Sequence, residues 1–180
     1  MTRANEAGAG RSLDAAEEAL SRLRSAVESD LHQAFVPLGE ALWWVVITEG
    51  LVGRHVPSYR DHQSGRQGQV LPGLRHARNI VAHGVNPARV LASEVSFFPE
   101  SWESARWLRL APATLTWVGA EDLPPSHDGR LSSYKLERAY ESELAGGAVI
   151  PILEEALEYL AGWRINQDPG PPASRGWIRH

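Results

Sequence analysis

The sequence predicts an all-α fold, a bundle of about five helices with a short β-hairpin insertion around residues 105–119. Three observations lead there. Apolar residues recur at three- and four-residue intervals through five separate segments. Strand-like alternation is confined to one stretch, Arg106–Leu110 and Thr114–Val118, split by Ala-Pro-Ala. The 180 residues, 43% of them hydrophobic, are enough for one sizeable core, and no repeat of roughly 20 to 50 residues divides the chain. The expected organisation is a polar, disordered leader over 1–11, one helical domain over 12–165, and a flexible Pro- and Gly-rich tail over 166–180.

Each helix has its own justification. Ser12 reads as an N-cap followed by Asp14, Glu17 and Glu18, acids that suit the positive end of a helix. Leu13, Ala16, Leu20, Leu23 and Val27 then form one buried stripe, to about Glu28. A second helix spans about Leu31 to Gly53, with Pro37 either kinking it or marking its true start. Its centre, Leu42 to Ile47, is apolar on more than one side, which suits burial against two neighbours or a dimer interface. Core packing is the expected fate of Trp43 and Trp44, with nucleobase stacking as the alternative. Residues 54–68 read as a loop, with Pro57, Gly65 and Gly68.

The third helix is expected from about Gln69 to His83, with Leu71, Leu74, Ala77 and Val81 on one face and Arg75, Asn79 and His83 on the other. Residues 92–125 form an aromatic insertion holding Phe97, Phe98, Trp102, Trp107 and Trp117, best read as a cap on the core. A fourth helix, Ser133 to Leu144, ends at Gly146-Gly147. Pro151 then occupies the first turn of a fifth, whose face carries Val149, Leu153, Leu157 and Leu160.

Function is concentrated in the third helix. Its end reads Arg75-His-Ala-Arg-Asn-Ile-Val-Ala-His-Gly84, which places Arg78, Asn79 and His83 in the order Arg-Asn-x-x-x-His. Arginine is a permanent cation for a phosphate, histidine moves a proton near neutral pH, and an amide can orient either. The bare Arg-x4-His spacing occurs again at Arg175 to His180, but after Asp-Pro-Gly-Pro-Pro, where no helix is expected. Helical context, the adjacent Asn79 and the following Gly84 distinguish the first copy.

Charge supports the same region. The chain carries a net −4, yet residues 51–90 hold six arginines against Asp61 alone, a local +5 beside −9 for the remainder. Arg75, His76 and Arg89 are accordingly candidates for phosphate or RNA binding. Glu49, late on an apolar helix, would need a partner such as Arg78 or His83 if buried, and is a candidate orienting group; the alternative is an exposed acid at the helix end.

The Arg78-Asn79-x-x-x-His83 motif resembles the signature of the HEPN family, compact helical proteins that include many ribonuclease toxins and antiviral nucleases. The resemblance covers about ten residues strongly and the helical layout loosely. It implies metal-independent RNA cleavage by a homodimer whose two motifs face each other, with Arg78, Asn79 and His83 as the catalytic set, no cofactor, and RNA as substrate. Toxin, phage-defence and RNA-processing roles all fit, as does an antitoxin or other protein partner. The dimer matters because residues 78 and 83 lie roughly 140° apart on an ideal helix; unwinding at Gly84 or an arginine from the partner would bring the groups to one phosphate.

Other chemistries find little support. The absence of cysteine excludes a disulfide framework, a thiol nucleophile and cysteine-ligated zinc. Neither a phosphate-binding glycine loop nor a His-x3-His or His-Glu-x-x-His metal spacing occurs, so no metal site is expected. The leader lacks the apolar core of a signal peptide, and the apolar run Ala41 to Ile47 is too short to span a bilayer, which points to a cytoplasmic protein without membrane contact. The alternative to catalysis is a non-catalytic helical dimer that binds RNA, a nucleotide or a protein through the same basic surface.

Overall fold

The computed structural model describes residues 3–56, 58–59, 65–82, 87–91, 114–123 and 131–165. Five α-helices lie among them: α1 Arg3–Ser29, α2 Phe35–His55, α3 Arg66–Ala82, α4 Leu131–Glu143 and α5 Val149–Ile165. Two 3₁₀ turns, Leu31–Gln33 and Ala120–Asp122, and two strands, β1 Ala88–Leu91 and β2 Thr114–Trp117, complete these elements. The fold is therefore all-α with a minor β element, as the apolar periodicity predicts.

Helix α1 lies along α2 and reaches α5, while α3 is held between α2 and α4. Leu20 and Leu23 of α1, Leu42 and Val45 of α2, Leu74 of α3 and Leu153 of α5 are buried in one continuous core. The expected N-cap at Ser12 is not one. Helix α1 begins at Arg3, so residues 3–11 are helix and not a disordered leader. Ser12 is buried inside it, where its hydroxyl donates to the Ala9 carbonyl at 2.9 Å and accepts from Thr48 Oγ1 at 2.9 Å. A hydroxyl satisfied across the α1–α2 contact need not cap a helix end.

Asp30 caps the turn before α2, its Oδ1 accepting from the His32 amide at 3.0 Å. Pro37 falls in the first turn of α2, where its missing N–H costs no helical bond. By length and composition alone, Leu31–His55 would suit a membrane span, a property that the core helix of a bundle shares. Here Leu38, Ala41, Leu42, Val45 and Val52 bury one side of α2. The segment expected to be a loop over 54–68 is trimmed at both ends, since α2 runs to His55 and α3 starts at Arg66. Tyr59 between them is 1% exposed and meets Trp163 of α5 edge-on at 5.3 Å.

Strand β2 forms where alternation predicts it, with a partner that the sequence did not suggest. Among the described residues it pairs antiparallel with β1, in the register Ala88↔Trp117 to Leu91↔Thr114; residues 106–110, its expected hairpin partner, lie outside them. The pairing anchors β2 to the α4–α5 turn. Trp117 N–H donates to the Gly147 carbonyl at 2.9 Å, and Gly146 N–H donates to the Trp117 carbonyl at 3.0 Å. Gly146 adopts φ +72°, a conformation that favours glycine and lets α4 end sharply. Trp117 in turn packs edge-on against Tyr140 of α4 at 6.2 Å. The tail 166–180 and most of the aromatic insertion lie outside the described residues.

Candidate functional site

Helix α3 presents different chemistry to its two neighbours. Toward α4 it comes very close at Gly73, where an added Cβ would lie 2.6 Å from Leu144 Cδ1 and 3.1 Å from the Ala139 carbonyl oxygen. His76, one turn on, is only 8% exposed and lies 5.6 Å from the Tyr140 ring. Burial lowers its pKa below the ordinary imidazole value, with the Glu137 carboxylate opposing that shift. Burial likewise raises the Tyr140 phenol well above its usual value, opposed by Arg89; its hydroxyl donates to the Val118 carbonyl at 3.0 Å. His76 thus stands inside the α3–α4 contact, away from the edge where a phosphate would approach.

Toward α2, α3 carries Arg75 and Arg78 one turn apart, and their surroundings differ. Arg75 Nη2 lies 2.6 Å from Glu49 Oε2, and the Glu49 side chain is only 3% exposed. Glu49 is therefore not an exposed acid at the helix end. Among the described residues Arg75 is an ionic partner of Glu49, a pairing that the sequence did not suggest; His83, one of the two partners it did suggest, lies outside them. A buried carboxylate requires such a cation, because desolvation without one would be far costlier than the pairing is stabilising.

Arg78 stands over an aromatic ring instead. Its guanidinium carbon lies 5.6 Å from the centroid of Trp43, within cation–π range. The Arg78 Nε–H is buried and has no acceptor among the described residues. Both groups line an open groove of about 470 Å³ between the start of α2 and the end of α3, together with Phe35, Gly39, Glu40 and Ala82. Gly39 lets the two helices approach, since a Cβ there would already lie 3.4 Å from Val81 Cγ1. Trp43 is 49% exposed and Val36 62%, so the outer side of α2 is apolar and open. Trp44 packs against the core as expected, while Trp43 does not.

Glu40 is the groove's acid. Its Oε2 lies 2.5 Å from Arg22 Nη2 of α1, an ion pair by distance that lacks the alignment of a hydrogen bond. The remaining candidates are dispersed. Asn79 follows Arg78 on α3 and is half-buried. Arg89, on β1, is ion-paired with Asp122 in the 3₁₀ turn after β2. His83 lies outside the described residues, directly after Ala82, the last residue of α3. The structure thus places Arg78 in the groove, with Asn79 next to it on α3 but not among the lining residues, pairs Arg75 with Glu49, and places His76 and Arg89 elsewhere.

Glu40 was not singled out from the sequence, and Trp43 only through the base-stacking alternative to core packing. Their signal was present in the spacing of Val36, Glu40, Trp43 and Ile47, which share one side of α2 opposite its buried stripe. Among the described residues, no three His, Asp or Glu side chains gather as metal ligands would. Comparison with protein-family models, with curated proteins and with solved structures gives no match to this chain.

Proposed function

We propose that this chain is a metal-independent endoribonuclease of HEPN type that works as a homodimer in the cytoplasm. The observation that carries the reading is Arg78, held over Trp43 beside an open groove, on the helical turn that leads through Asn79 to His83. In the proposed reaction the RNA 2′-OH attacks the adjacent phosphorus and the P–O5′ bond breaks. His83 moves the proton, as base toward the 2′-OH or as acid toward the departing 5′ oxygen. Arg78 stabilises the charge that develops on the phosphorane-like transition state, and Asn79 orients the imidazole or a phosphate oxygen. The second subunit supplies the arginine that a single helix would leave roughly 140° away from its own histidine. DNA, without a 2′-OH, is not a substrate for this route. A toxin, a phage-defence nuclease and an RNA-processing enzyme share this chemistry, and the first would add an antitoxin partner.

A second reading draws on the ion pairs. Arg75 and Arg89 are engaged by Glu49 and Asp122, and His76 is buried, so three of the expected phosphate contacts already have internal roles. That arrangement favours a non-catalytic dimer that binds RNA, a nucleotide or a protein. The deciding experiment incubates wild type and His83→Ala with labelled structured RNA in excess EDTA. The nuclease reading expects wild type to leave 2′,3′-cyclic phosphate and 5′-OH ends, and the variant to be about 10²- to 10⁴-fold slower. Undiminished cleavage by the variant removes His83 from the mechanism. No cleavage of several RNAs by a dimeric wild type favours the binding module.

A further inference from the structure

We propose that the groove between α2 and α3 is a subsite for a guanine base. Three features of the groove point to this ligand. Trp43 is a large aromatic residue that is 49% exposed, and every nucleobase can stack on such a ring. Arg78 brings its guanidinium to the same groove, over the Trp43 ring. Glu40 brings an acceptor, with its side chain 40% exposed and only one oxygen engaged by Arg22.

A carboxylate and a guanidinium lining one aromatic groove suit a base that has N–H donors on one edge and acceptors on another. Guanine is the base that sets two N–H donors, N1–H and N2–H₂, side by side, and that offers O6 and N7 together to an arginine. A carboxylate has about four lone-pair positions, so the Arg22 contact leaves Glu40 able to accept from that edge. The apolar wall formed by Phe35 and Ala82 encloses the ring without competing for its hydrogen bonds.

This inference rests on the ribonuclease reading for its purpose, since a base bound here would fix which phosphodiester reaches the end of α3. The chemistry is the same whether the guanine belongs to RNA or to a free nucleotide. Binding is therefore measured with 2′-O-methyl pentanucleotides, UUGUU against UUAUU, UUCUU and UUUUU, which cannot be cut through the 2′-OH, and with GMP as competitor. The full chain is used as wild type, Glu40→Gln, Trp43→Ala and Trp43→Phe, each checked by circular dichroism and sedimentation.

The expected result is a preference for UUGUU of at least about tenfold. Glu40→Gln should reduce that preference to about twofold, and Trp43→Ala should weaken all four oligonucleotides by about tenfold. Trp43→Phe, which keeps a stacking face, should stay within about threefold of wild type. Displacement by GMP supports recognition of the base alone, and displacement only by the oligonucleotide supports the same base held with its flanking phosphates. Equal affinity for all four sequences overturns the proposal. So does a guanine preference that survives Glu40→Gln, or a Trp43→Ala variant that loses only self-association. Cleavage without base preference would remove this subsite alone; base preference without cleavage would remove the nuclease reading and leave the subsite.

Discussion

The two sides of helix α3 make an instructive contrast. Facing α4, the helix is close-packed and satisfied: Gly73 admits the neighbouring backbone, and His76 is desolvated against Tyr140. Facing α2, the contact closes around the Arg75–Glu49 pair and then opens at Arg78, where an exposed tryptophan and an unpartnered buried donor line a groove. Folding stability gains little from an exposed Trp43 or from an Arg78 Nε–H buried without an acceptor among the described residues, since burying the ring or pairing the donor would each be favourable. The contrast assigns stability to one side of the helix and ligand contact to the far end of the other.

Exchange of the two arginines tests that assignment most strongly. Arg78→Ala should lower the RNA cleavage rate by about 10²- to 10³-fold, the effect of deleting one preorganised donor to a developing anion. Its stability should fall by no more than about 1 kcal/mol, the scale of the lost cation–π contact. Arg75→Ala should do the reverse, costing about 2–3 kcal/mol in urea denaturation because it removes a cation from the buried Glu49 carboxylate. That figure lies below the usual range for a fully buried pair because the Arg75 side chain is 40% exposed. Cleavage per folded molecule should change little. A variant pair in which both arginines reduce rate equally, with stability untouched, would break the contrast.

The α4 side provides the complementary test. Gly73→Ala introduces a methyl group 2.6 Å from Leu144 Cδ1 and against the Ala139 backbone, so the two helices must separate or Leu144 must change rotamer. The expected cost is about 1–3 kcal/mol of stability. Gly39→Ala, in the α2–α3 contact beside the groove, meets only Val81 Cγ1 at 3.4 Å and should be tolerated better. Equal losses at the two glycines would mean that the α2 side is packed as tightly as the α4 side.

Sequence periodicity was enough to locate the helices because each buries a stripe at the helical repeat. It fails at three places for identifiable reasons. Ser12 has the chemistry of an N-cap, but its partner is Thr48 on another helix, a tertiary contact that no local pattern carries. Strand β1 has four residues and pairs with a segment 23 or more positions later, too short for alternation to register. Trp43 and Trp44 are adjacent in an apolar run, and only the arrangement of α1 and α3 around α2 decides which is exposed. The Arg78-Asn79 motif was legible as chemistry, whereas the Arg75–Glu49 pair was not, since Arg75 and Arg78 lie one turn apart on the same helix.

The smallest expected effect concerns His76 and the pH dependence of stability. Burial lowers its folded pKa, so in the unfolded chain the imidazole, at its ordinary value of about 6.5, binds a proton more readily than in the fold. Its contribution to stability is complete above that unfolded value and is lost as pH falls through the lower, folded one. Wild type should therefore lose more of its urea midpoint between pH 7.5 and pH 5 than His76→Phe, which keeps a ring against Tyr140 but has no proton to bind. Glu137→Gln sharpens the test, because the carboxylate is the group that opposes the shift. Without it the folded pKa falls further and the acid-induced loss extends to lower pH. Parallel midpoint curves for wild type and His76→Phe would show that this histidine is solvated in the fold, and the two sides of α3 would then differ less than their geometry indicates.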